Sequence, residues 1–502
     1  MSTIIYYLFE SDRFNVLEVI TKNYKIEKSR EILGDFCFYD TFDFRLYFND
    51  LCLYKKDNVL FLQGKGLKEV LSYNLDNNNV DFHFWWDITD GNVREVLKGI
   101  IDVRALNEIF KIKIESREYK IYNSDDKIIA NLGVFNFPQF YFSLVRVNRI
   151  KGYKKEASNI KLMLDSTGAF KLKNILKFIF SKSGVTLEEY STKINLKIKK
   201  VEMAYNSTKQ ILMHMLNIME KNITGIKFHI DTEYLHDFRV ATRRTRTALM
   251  QLQGVFREDY ILPFSKGFAE ITDRTNKARD LDIQFLYLIQ LKFDFPEHLK
   301  PGLNLLLDHL NNLRIKEYSK VAKFLLSQKF NNTLNKWKKF LGNSNLQYAG
   351  ENGLKPVGEV APYYIFEALK RVKKKYQMAL KDFNSKNLHK LRISCKKLRY
   401  VLEFFSPLYG DNIYEKVVDA LKILQDTLGL YQDVEVQKKM LSDIMEGLSK
   451  TENVTSNVFL AAGYLFRLLE EKQQSSSTNF LDYFDNFNEL IESKKFRKVL
   501  SF

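Results

Sequence analysis

The chain repeats one pattern of basic residues at an offset of 153 positions. HDFRVATRRTR at residues 236–246 aligns with HKLRISCKKLR at residues 389–399, and the same offset, without a gap, aligns Asp273 with Asp426 and Asp280 with Asp433. A histidine, a set of basic residues and two acids that recur in phase indicate a duplication. The sequence therefore predicts two structurally similar halves in this part of the chain.

The spacing within each copy predicts a helix with a row of cations. Residues three and four positions apart lie along one helix stripe, and the histidine and three basic residues of each copy have that spacing. An adjacent stripe is apolar in the second copy, Leu388, Leu391, Cys395, Leu398 and Leu402, and weaker in the first, Leu235, Phe238, Thr242, Thr245 and Leu249. Each helix is expected to bury this stripe and to turn the cations toward solvent or a cleft. The candidate anion-binding residues of the two copies are His236, Arg239, Arg243, Arg244, Arg246, His389, Arg392, Lys396, Lys397 and Arg399.

A charged stripe can also be an ordinary solvated helix face. Asp280, Asp282, Asp426 and Asp433 lie on later predicted helices and could pair with the basic residues. Each histidine could also cap or orient its helix rather than contact a ligand. We favour anion binding because basic positions outnumber acidic ones in the repeat and because the row occurs twice.

The net positive charge is concentrated in the part of the chain that contains the repeat. Residues 1–190 hold 28 basic and 26 acidic side chains, whereas residues 191–502 hold 50 and 35, so the second part carries +15 of the net +17. Such an excess attracts polyanions, whether nucleic acid, anionic membrane or phosphate polymer.

The fold class changes along the chain. Short apolar or alternating runs separated by Gly, Asn and Asp clusters predict antiparallel strands at Phe36–Tyr39, Asn58–Gln63, Phe82–Trp86, Phe110–Ile114 and Gln139–Val147. From about residue 195 onward, apolar residues have helical spacing. We predict an α+β domain at 1–160, a linker and helix at 161–194 and an all-α domain at 195–502. The all-α domain is expected to have halves at 195–341 and 363–502, joined by a loop at 342–362.

Cysteine spacing and hydropathy favour the cytoplasm. Cys37, Cys52 and Cys395 are far apart, which suggests neither a disulfide framework nor a zinc site. The sequence has neither a basic signal-peptide start nor an apolar run long enough to span a membrane. We expect a cytoplasmic protein without a transmembrane segment.

The basic repeat resembles the signature of the CHAD domain, the conserved histidine α-helical domain. LKILQDTLG at 421–429 with Gln432-Asp433 is similar to the second helical signature of that family, and Ala278–Asp282 is similar to its counterpart in the first half. The resemblance covers about residues 195–500. It implies two pseudo-symmetric four-helix bundles that bind inorganic polyphosphate on a basic surface. On this basis alone Lys422 joins the candidate site.

The N-terminal region is similar to a degenerate CYTH domain, the triphosphate-tunnel fold. YDTFDFRL at 39–46, LCLYKK at 51–56 and KGYKKEA at 151–157 carry the resemblance. Where that family opens with ExExK, whose carboxylates hold divalent metals, this chain has IIYYLF at 4–9. SLVRV at 143–147 stands where further acids would be expected. The departures imply a barrel-like fold without the metal site.

Phosphate hydrolysis with a divalent metal needs several converging carboxylates, which the first strand does not offer. Five lysines could line the barrel and hold phosphate without cleaving it, or could equally face solvent: Lys55, Lys56, Lys65, Lys111 and Lys113. The P-loop pattern GxxxxGK[ST] and the zinc motif HExxH are absent from the sequence.

The sequence thus predicts a non-catalytic protein that binds polyphosphate, with possible targeting to polyphosphate granules and with no metal or cofactor. One alternative is a metal-dependent triphosphatase or phosphotransferase of the N-terminal domain. The other is a binder of nucleic acid or of an anionic granule surface, of which nucleic acid is the less favoured partner.

Overall fold

The structure is a computed structural model that describes residues 6–9, 16–64, 70–75, 82–172, 174–382, 384–410, 412–449, 456–475 and 480–500. The chain forms two compact units with a boundary between Tyr190 and Ser191.

The first unit is built on an antiparallel sheet, as predicted. Its described residues contain nine strands in the order β5-β4-β3-β2-β6-β7-β8-β1-β9. The strands are β1 (Tyr6–Phe9), β2 (Lys25–Asp40), β3 (Leu51–Lys56), β4 (Val59–Gly64), β5 (Leu71–Asn74), β6 (Asn107–Tyr122), β7 (Ile128–Phe137), β8 (Phe142–Arg149) and β9 (Phe170–Leu172). The helices of this unit are α1 (Val16–Thr21), α2 (Arg45–Phe48), α3 (Gly91–Ile101), α4 (Lys154–Asp165) and α5 (Ile175–Lys182).

Both faces of this sheet are packed with apolar side chains. On one face α2 and α3 cover Leu53 and Leu62, and α1 and α4 cover Leu132 and Val145. On the other face, α5 contributes Ile179 to a cluster that includes residues of β6 and β8. Because successive side chains of a strand point to opposite faces, residues at odd and at even positions of these strands pack in different apolar clusters.

The first unit extends further along the chain than the sequence suggested. Strand β9 pairs with β1, so that Leu172 lies opposite Tyr6, and α5 packs on the sheet. Residues 161–182, predicted as part of a linker, therefore belong to the first unit.

The strand predicted at Phe82–Trp86 is a 3₁₀ turn in the structure, at Trp85–Asp87. The carboxylate of Asp87 accepts hydrogen bonds from the backbone N–H groups of His83 and Phe84, at 3.0 and 2.8 Å, and this local bonding competes with strand pairing. Trp85 is buried in the core, whereas Trp86 stacks on Phe84 with ring centroids 4.4 Å apart.

The second unit is helical and duplicated. Its helices are α6 (Ala204–Lys227), α7 (Thr232–Gln251), α8 (Glu258–Leu291), α9 (Lys300–Leu326), α10 (Gln328–Gly342), α11 (Val357–Lys381), α12 (Ser385–Phe405), α13 (Asn412–Ser449), α14 (Ser456–Ser475), α15 (Phe480–Glu492) and α16 (Lys494–Leu500). The offset of 153 residues carries the first residue of α6 onto that of α11, and the first residue of α7 onto that of α12. The duplication read from the sequence is thus a duplication of helices.

Equivalent helices of the two halves pack against each other. In the first half α6, α7, α8 and α9 pack around a ring as a four-helix bundle. In the second half α12 packs against α11 and α13, and α13 also packs against α14 and α15. Contacts between the halves join α6 to α11, α7 to α12 and α9 to α14. Contacts between equivalent elements are expected of a pseudo-two-fold arrangement.

The two basic helices also begin alike. The side chain of Asp231 accepts hydrogen bonds from the N–H groups of Glu233 and Tyr234, and Asn384 at the equivalent position accepts one from the N–H of Asn387. Both residues are N-caps, which satisfy backbone donors that a helix cannot pair internally. The loop predicted at 342–362 ends earlier in the structure, because α11 begins at Val357 and contains Pro362.

In the part of the chain that the structure describes, every helix is too short or too polar to cross a lipid bilayer.

Candidate functional site

The apolar stripe beside each basic row faces the core, as predicted. All five stripe residues of α7 are buried, and four of the five in α12 are buried, while Leu388 is half-buried. Helix α7 contacts both α8 and α12 in addition to α6. Among the basic residues of α7, Arg239 is buried, while Arg243, Arg244 and Arg246 are half-buried.

Arg239 is buried instead of turned toward solvent. Only 7% of its surface is exposed. One nitrogen, Nη1, donates to the carbonyl of Thr272 at 3.0 Å and to the hydroxyl of Thr275 at 2.5 Å, and Nη2 donates to Asn276 Oδ1 at 2.8 Å. These acceptors all lie on α8, so Arg239 holds α7 against α8. The sequence prediction of an outward cation is wrong for this residue, because its guanidinium reaches neutral acceptors that the sequence alone does not locate.

Two further arginines lie close to Arg239 and form an arginine cluster with it, namely Arg243 and Arg279. Burial lowers the pKa of Arg239 to about 10, and the positive charges of Arg243 and Arg279 act in the same direction, while Asp280 opposes them. Burial also raises the pKa of Asp280, against the effect of Arg239 and Arg279. Asp280 thus interacts with two of the three guanidinium groups, those of Arg239 and Arg279.

Several donors of the arginine cluster are buried without a partner. Among the described residues, Nε of Arg239, Nε of Arg243 and Nη1 of Arg279 are shielded from solvent and have no hydrogen-bond acceptor. An unsatisfied buried donor costs about 1–3 kcal/mol, and more when the group is charged. An anion with several oxygens is the kind of ligand that would satisfy such donors.

Arg244 and Arg399 meet at one carboxylate. Arg244 Nη2 donates to Glu403 at 2.7 Å, and Arg399 Nε lies 3.4 Å from the other oxygen of Glu403. Arg244 Nη1 also donates to the carbonyl of Thr192 at 2.7 Å. This pair joins α7 to α12 across the two halves, so both basic rows belong to one region of the second unit.

The second row is more accessible than the first. Arg392, Lys396, Lys397 and Arg399 are half-buried, and His389 and Lys422 are exposed. Positions 428 and 429, equivalent to the Thr275 and Asn276 acceptors of Arg239, hold Leu428 and Gly429, which offer no side-chain acceptor. The side-chain acceptors that bind Arg239 on α8 therefore have no counterpart at the equivalent positions of α13.

The two histidines differ in their surroundings. Ligand atoms of His236, Glu233 and Asp237 lie within 4.8 Å of one another. At the equivalent positions around His389 the chain has Lys386 and Lys390, so the carboxylates are not part of the repeat. Arg246, the last member of the first row, is half-buried.

The acidic residues that could pair with the basic rows lie in different environments. Asp282 is buried and binds Arg314 Nε at 2.9 Å and the hydroxyl of Tyr318 at 2.7 Å, both on α9. Asp282 is therefore satisfied away from the basic rows. Asp426 is exposed, and the side chain of Asp433 lies outside the described residues.

Three of the four described candidate lysines of the first unit lie on one face of the sheet, because Lys55 and Lys111 both pair with Cys37 and Lys113 follows two residues after Lys111 on β6. Lys111 and Lys113 are exposed, and Lys111 pairs with Asp35 at 2.9 Å. Lys55 and Lys56 are half-buried neighbours on β3, so their side chains project from opposite faces of the sheet. Lys65 lies outside the described residues. In strand β1, Tyr7 packs in the apolar cluster that includes α1 and α4, and Leu8 packs on the other face of the sheet in the cluster that includes α5. Residues 4 and 5 lie outside the described residues.

Arg279 is a candidate site residue that the sequence reasoning missed. It lies within the motif Ala278–Asp282, but its equivalent in the second half is Gln432. Selecting positions that are basic in both copies excluded it. A signal was present, since Arg279 is beside Asp280, an acid that the repeat did align.

Comparisons with known proteins agree with the helical part of this description. Residues 210–442 match the family model of the CHAD domain. No curated protein matches the chain in sequence. Among solved structures, the chain is similar to the CHAD domain from the plant Ricinus communis, with 20% identity, 59% of this chain and 95% of that chain covered, and a TM-score of 0.48.

Two further solved structures show weaker similarity. PptA from Streptomyces chartreusis has 12% identity, 57% of this chain and 100% of that chain covered, and a TM-score of 0.43. A protein from Pyrococcus horikoshii has 10% identity and a TM-score of 0.21, and the match covers 36% of this chain and 99% of that chain. The duplicated basic helices and the family match together identify residues 210–442 of this chain as a CHAD domain.

Proposed function

We propose that the second unit binds inorganic polyphosphate, or a closely similar polyanion, along the basic rows of α7 and α12. The observation that carries this proposal is the arginine cluster, whose buried Nε and Nη1 donors lack acceptors. A guanidinium group pairs with phosphate oxygens through two parallel hydrogen bonds, whereas a lysine contributes a mobile point charge. The first half supplies arginines and the second half adds Arg392, Lys396, Lys397 and Arg399.

The roles of the candidate residues follow from their contacts. Arg239 and Arg244 hold helices together through Thr272, Asn276 and Glu403, so we assign them a positioning role. Arg243 and Arg279 are half-buried, so part of each side chain is exposed, and we assign them direct contact together with Arg392 and Lys396.

Polyphosphate suits this surface better than nucleic acid. Binding of single-stranded nucleic acid uses exposed aromatic rings on which bases stack. The aromatic residue that lies near Arg239 is Tyr400, which is only 8% exposed. A chain of phosphates needs cations alone, and cations are what the rows provide.

We further propose that the first unit is a degenerate relative of the triphosphate-tunnel fold and does not hydrolyse phosphate. This rests on the three motifs given above and on the antiparallel sheet. The apolar packing of Tyr7 and Leu8 leaves β1 without carboxylates for a divalent metal.

The test compares paired substitutions with a matched control. Arg243→Gln with Arg279→Gln is expected to weaken polyphosphate binding at least tenfold, because each charge-assisted contact contributes about 1.5–3 kcal/mol. Adding Arg392→Gln and Lys396→Gln should nearly abolish binding. Affinity is measured by fluorescence anisotropy with labelled polyphosphate, and it should fall steeply with added salt, since binding releases counterions.

The control is Lys336→Gln with Lys339→Gln, both exposed on α10. Lys338, between them, is unsuitable because it pairs with Glu220 at 3.0 Å. Equal loss of affinity in the control and the cluster variants would mean that binding is diffuse and that the assigned site is wrong. Circular dichroism checks that all variants are folded.

A further inference from the structure

Residues 193–199 precede α6 in the second unit and form an edge segment with the pattern of a strand. Ile194 and Ile198 are buried, Leu196 is half-buried, and the residues between them are exposed. Burial that alternates at every second residue is typical of an extended strand. Among the described residues, however, no strand or isolated bridge pairs with the edge segment. It therefore has the form of a strand without a neighbour.

Hydrogen bonds fix the edge segment near both of its ends. At its start, Nε2 of His214 on α6 lies 3.0 Å from the carbonyl of Lys193 and donates to it, because a carbonyl oxygen can only accept. Just beyond its end, the carbonyl of Lys200 accepts a hydrogen bond from the N–H of Gly358 at 2.8 Å. The edge segment is thus ordered before any partner binds, which lowers the entropic cost of binding.

The backbone between these two anchors is unpaired. In the described structure, the N–H and carbonyl groups of residues 194–198 have no hydrogen-bond partner in the protein. Such groups have to face water, since burial of a backbone group without a partner is costly. An exposed row of donors and acceptors is the feature on which a strand of another chain can pair.

A groove of about 870 Å³ adjoins the edge segment. It is lined by Leu196 and by residues of α6 that are three and four positions apart and so share one helix face. Met203 and Met213 make part of the lining apolar, while Asn206 and Asn217 contribute exposed amides. Methionine adapts to apolar groups of different shape, and an amide both donates to and accepts from a peptide backbone. The groove therefore suits a peptide that carries an apolar side chain.

Charge indicates which kind of peptide would pair. The side chains of Lys193, Lys197 and Lys199 are exposed and form no ion pair in the part of the chain that the structure describes. Opposite charges on neighbouring strands stabilise their pairing, which favours acidic side chains in the partner. A phosphate polymer offers acceptors alone and would be repelled by the carbonyl groups of the edge segment, whereas a peptide offers donors as well.

We propose that the edge segment and the adjoining groove bind an extended acidic peptide of a partner protein. The peptide pairs as a strand with residues 194–198, places carboxylates beside the three lysines and inserts an apolar side chain into the groove. In recognition of this kind, main-chain hydrogen bonds provide affinity and side-chain pockets provide specificity. The site uses no residue of the arginine cluster, so it is independent of polyphosphate binding.

Fluorescence anisotropy of the full chain with a labelled heptapeptide, in which glutamate alternates with leucine and valine, tests the site. Lys197→Gln with Lys199→Gln should weaken peptide binding roughly threefold to tenfold, because two exposed charge pairs are lost. Lys336→Gln with Lys339→Gln on α10 is the matched control and should bind the peptide as the wild type does. Bound peptide should also slow hydrogen exchange at the N–H groups of residues 194–198.

A second peptide separates strand pairing from recognition of charge. It has the same sequence with alternate backbone amides N-methylated, so it keeps every carboxylate but cannot pair with an edge, and it should bind far more weakly. Equal binding of the two peptides would mean that the site recognises polyanions and would overturn the proposal. So would absence of binding at millimolar peptide, unchanged hydrogen exchange at residues 194–198, or equal losses in the lysine and control variants. A thermal unfolding curve for each variant excludes loss of the fold.

Discussion

At the scale of single residues, hydrogen bonds separate the arginine that joins two helices from the arginine that we propose contacts a ligand. Arg239 and Arg243 are one helical turn apart, and sequence spacing treats them alike. Arg239 binds three acceptors on α8, while the Nε of Arg243 is left without one. Replacing the whole row at once would therefore mix loss of fold with loss of binding.

Arg239→Lys is predicted to lower the free energy of unfolding by about 1–3 kcal/mol, because an ammonium group cannot reproduce the planar fork that reaches Thr272, Thr275 and Asn276. Urea denaturation measures this. Arg246→Lys is the control, since that residue is half-buried in the same row and should change stability by no more than about 0.5 kcal/mol. A loss no larger than that of the control would contradict the positioning role of Arg239.

His229 is predicted to make the second unit sensitive to acid. Its ring stacks on Tyr318 at 3.8 Å between centroids, and burial, with a smaller effect of Arg314, lowers its pKa from 6.5 to about 4. The folded protein therefore binds this proton less readily than the unfolded chain. The stabilising contribution is complete above about pH 6.5 and is lost as the pH falls toward 4.

The measurement compares the free energy of unfolding of the wild type and His229→Asn between pH 7 and pH 4. Asparagine tolerates the left-handed backbone at this position, where φ is 51°. The wild type should lose on the order of 2 kcal/mol more than the variant over this range. Parallel pH profiles would show that His229 does not carry the effect.

At the scale of helices, one glycine allows the two halves to approach. Gly302 in the first turn of α9 faces the backbone of Asn457 in α14, and a β-carbon at position 302 would overlap the Asn457 carbonyl. The contact between these equivalent helices therefore depends on the missing side chain.

Gly302→Ala is predicted to lower the free energy of unfolding by at least about 1 kcal/mol, because a backbone neighbour cannot move aside as a side chain can. Gly463→Ala in α14 is the matched control. A β-carbon there has no neighbour within 4 Å, and alanine should stabilise the helix by roughly 0.5–1 kcal/mol. Urea denaturation of both variants should give changes of opposite sign, and equal changes would exclude the close approach as the cause.

At the scale of the whole molecule, the prediction concerns catalysis. We expect no release of phosphate from triphosphate, ATP or polyphosphate in the presence of Mg²⁺ or Mn²⁺, because β1 packs apolar side chains on both faces of the sheet in place of metal-binding carboxylates. A malachite green assay of the full chain measures release. Turnover above a buffer blank that a chelator abolishes would favour the enzyme alternative.

The sequence by itself determined the duplication, the antiparallel and helical parts and the location of the excess charge. These follow from local regularities: a helix repeats every three to four residues, a strand every two, and a duplicated segment keeps its phase. Burial of the stripe Leu391, Cys395 and Leu398 was predicted from this helical spacing.

Only the tertiary structure decided which cations are already satisfied. Arg239 finds its acceptors 33 to 37 residues away on α8, and Arg244 finds Glu403 159 residues away on α12. Arg279 enters the cluster although the repeat does not preserve its charge. A side chain's partners depend on which helices pack together. That packing is the sum of many long-range contacts, and no single stretch of sequence records it.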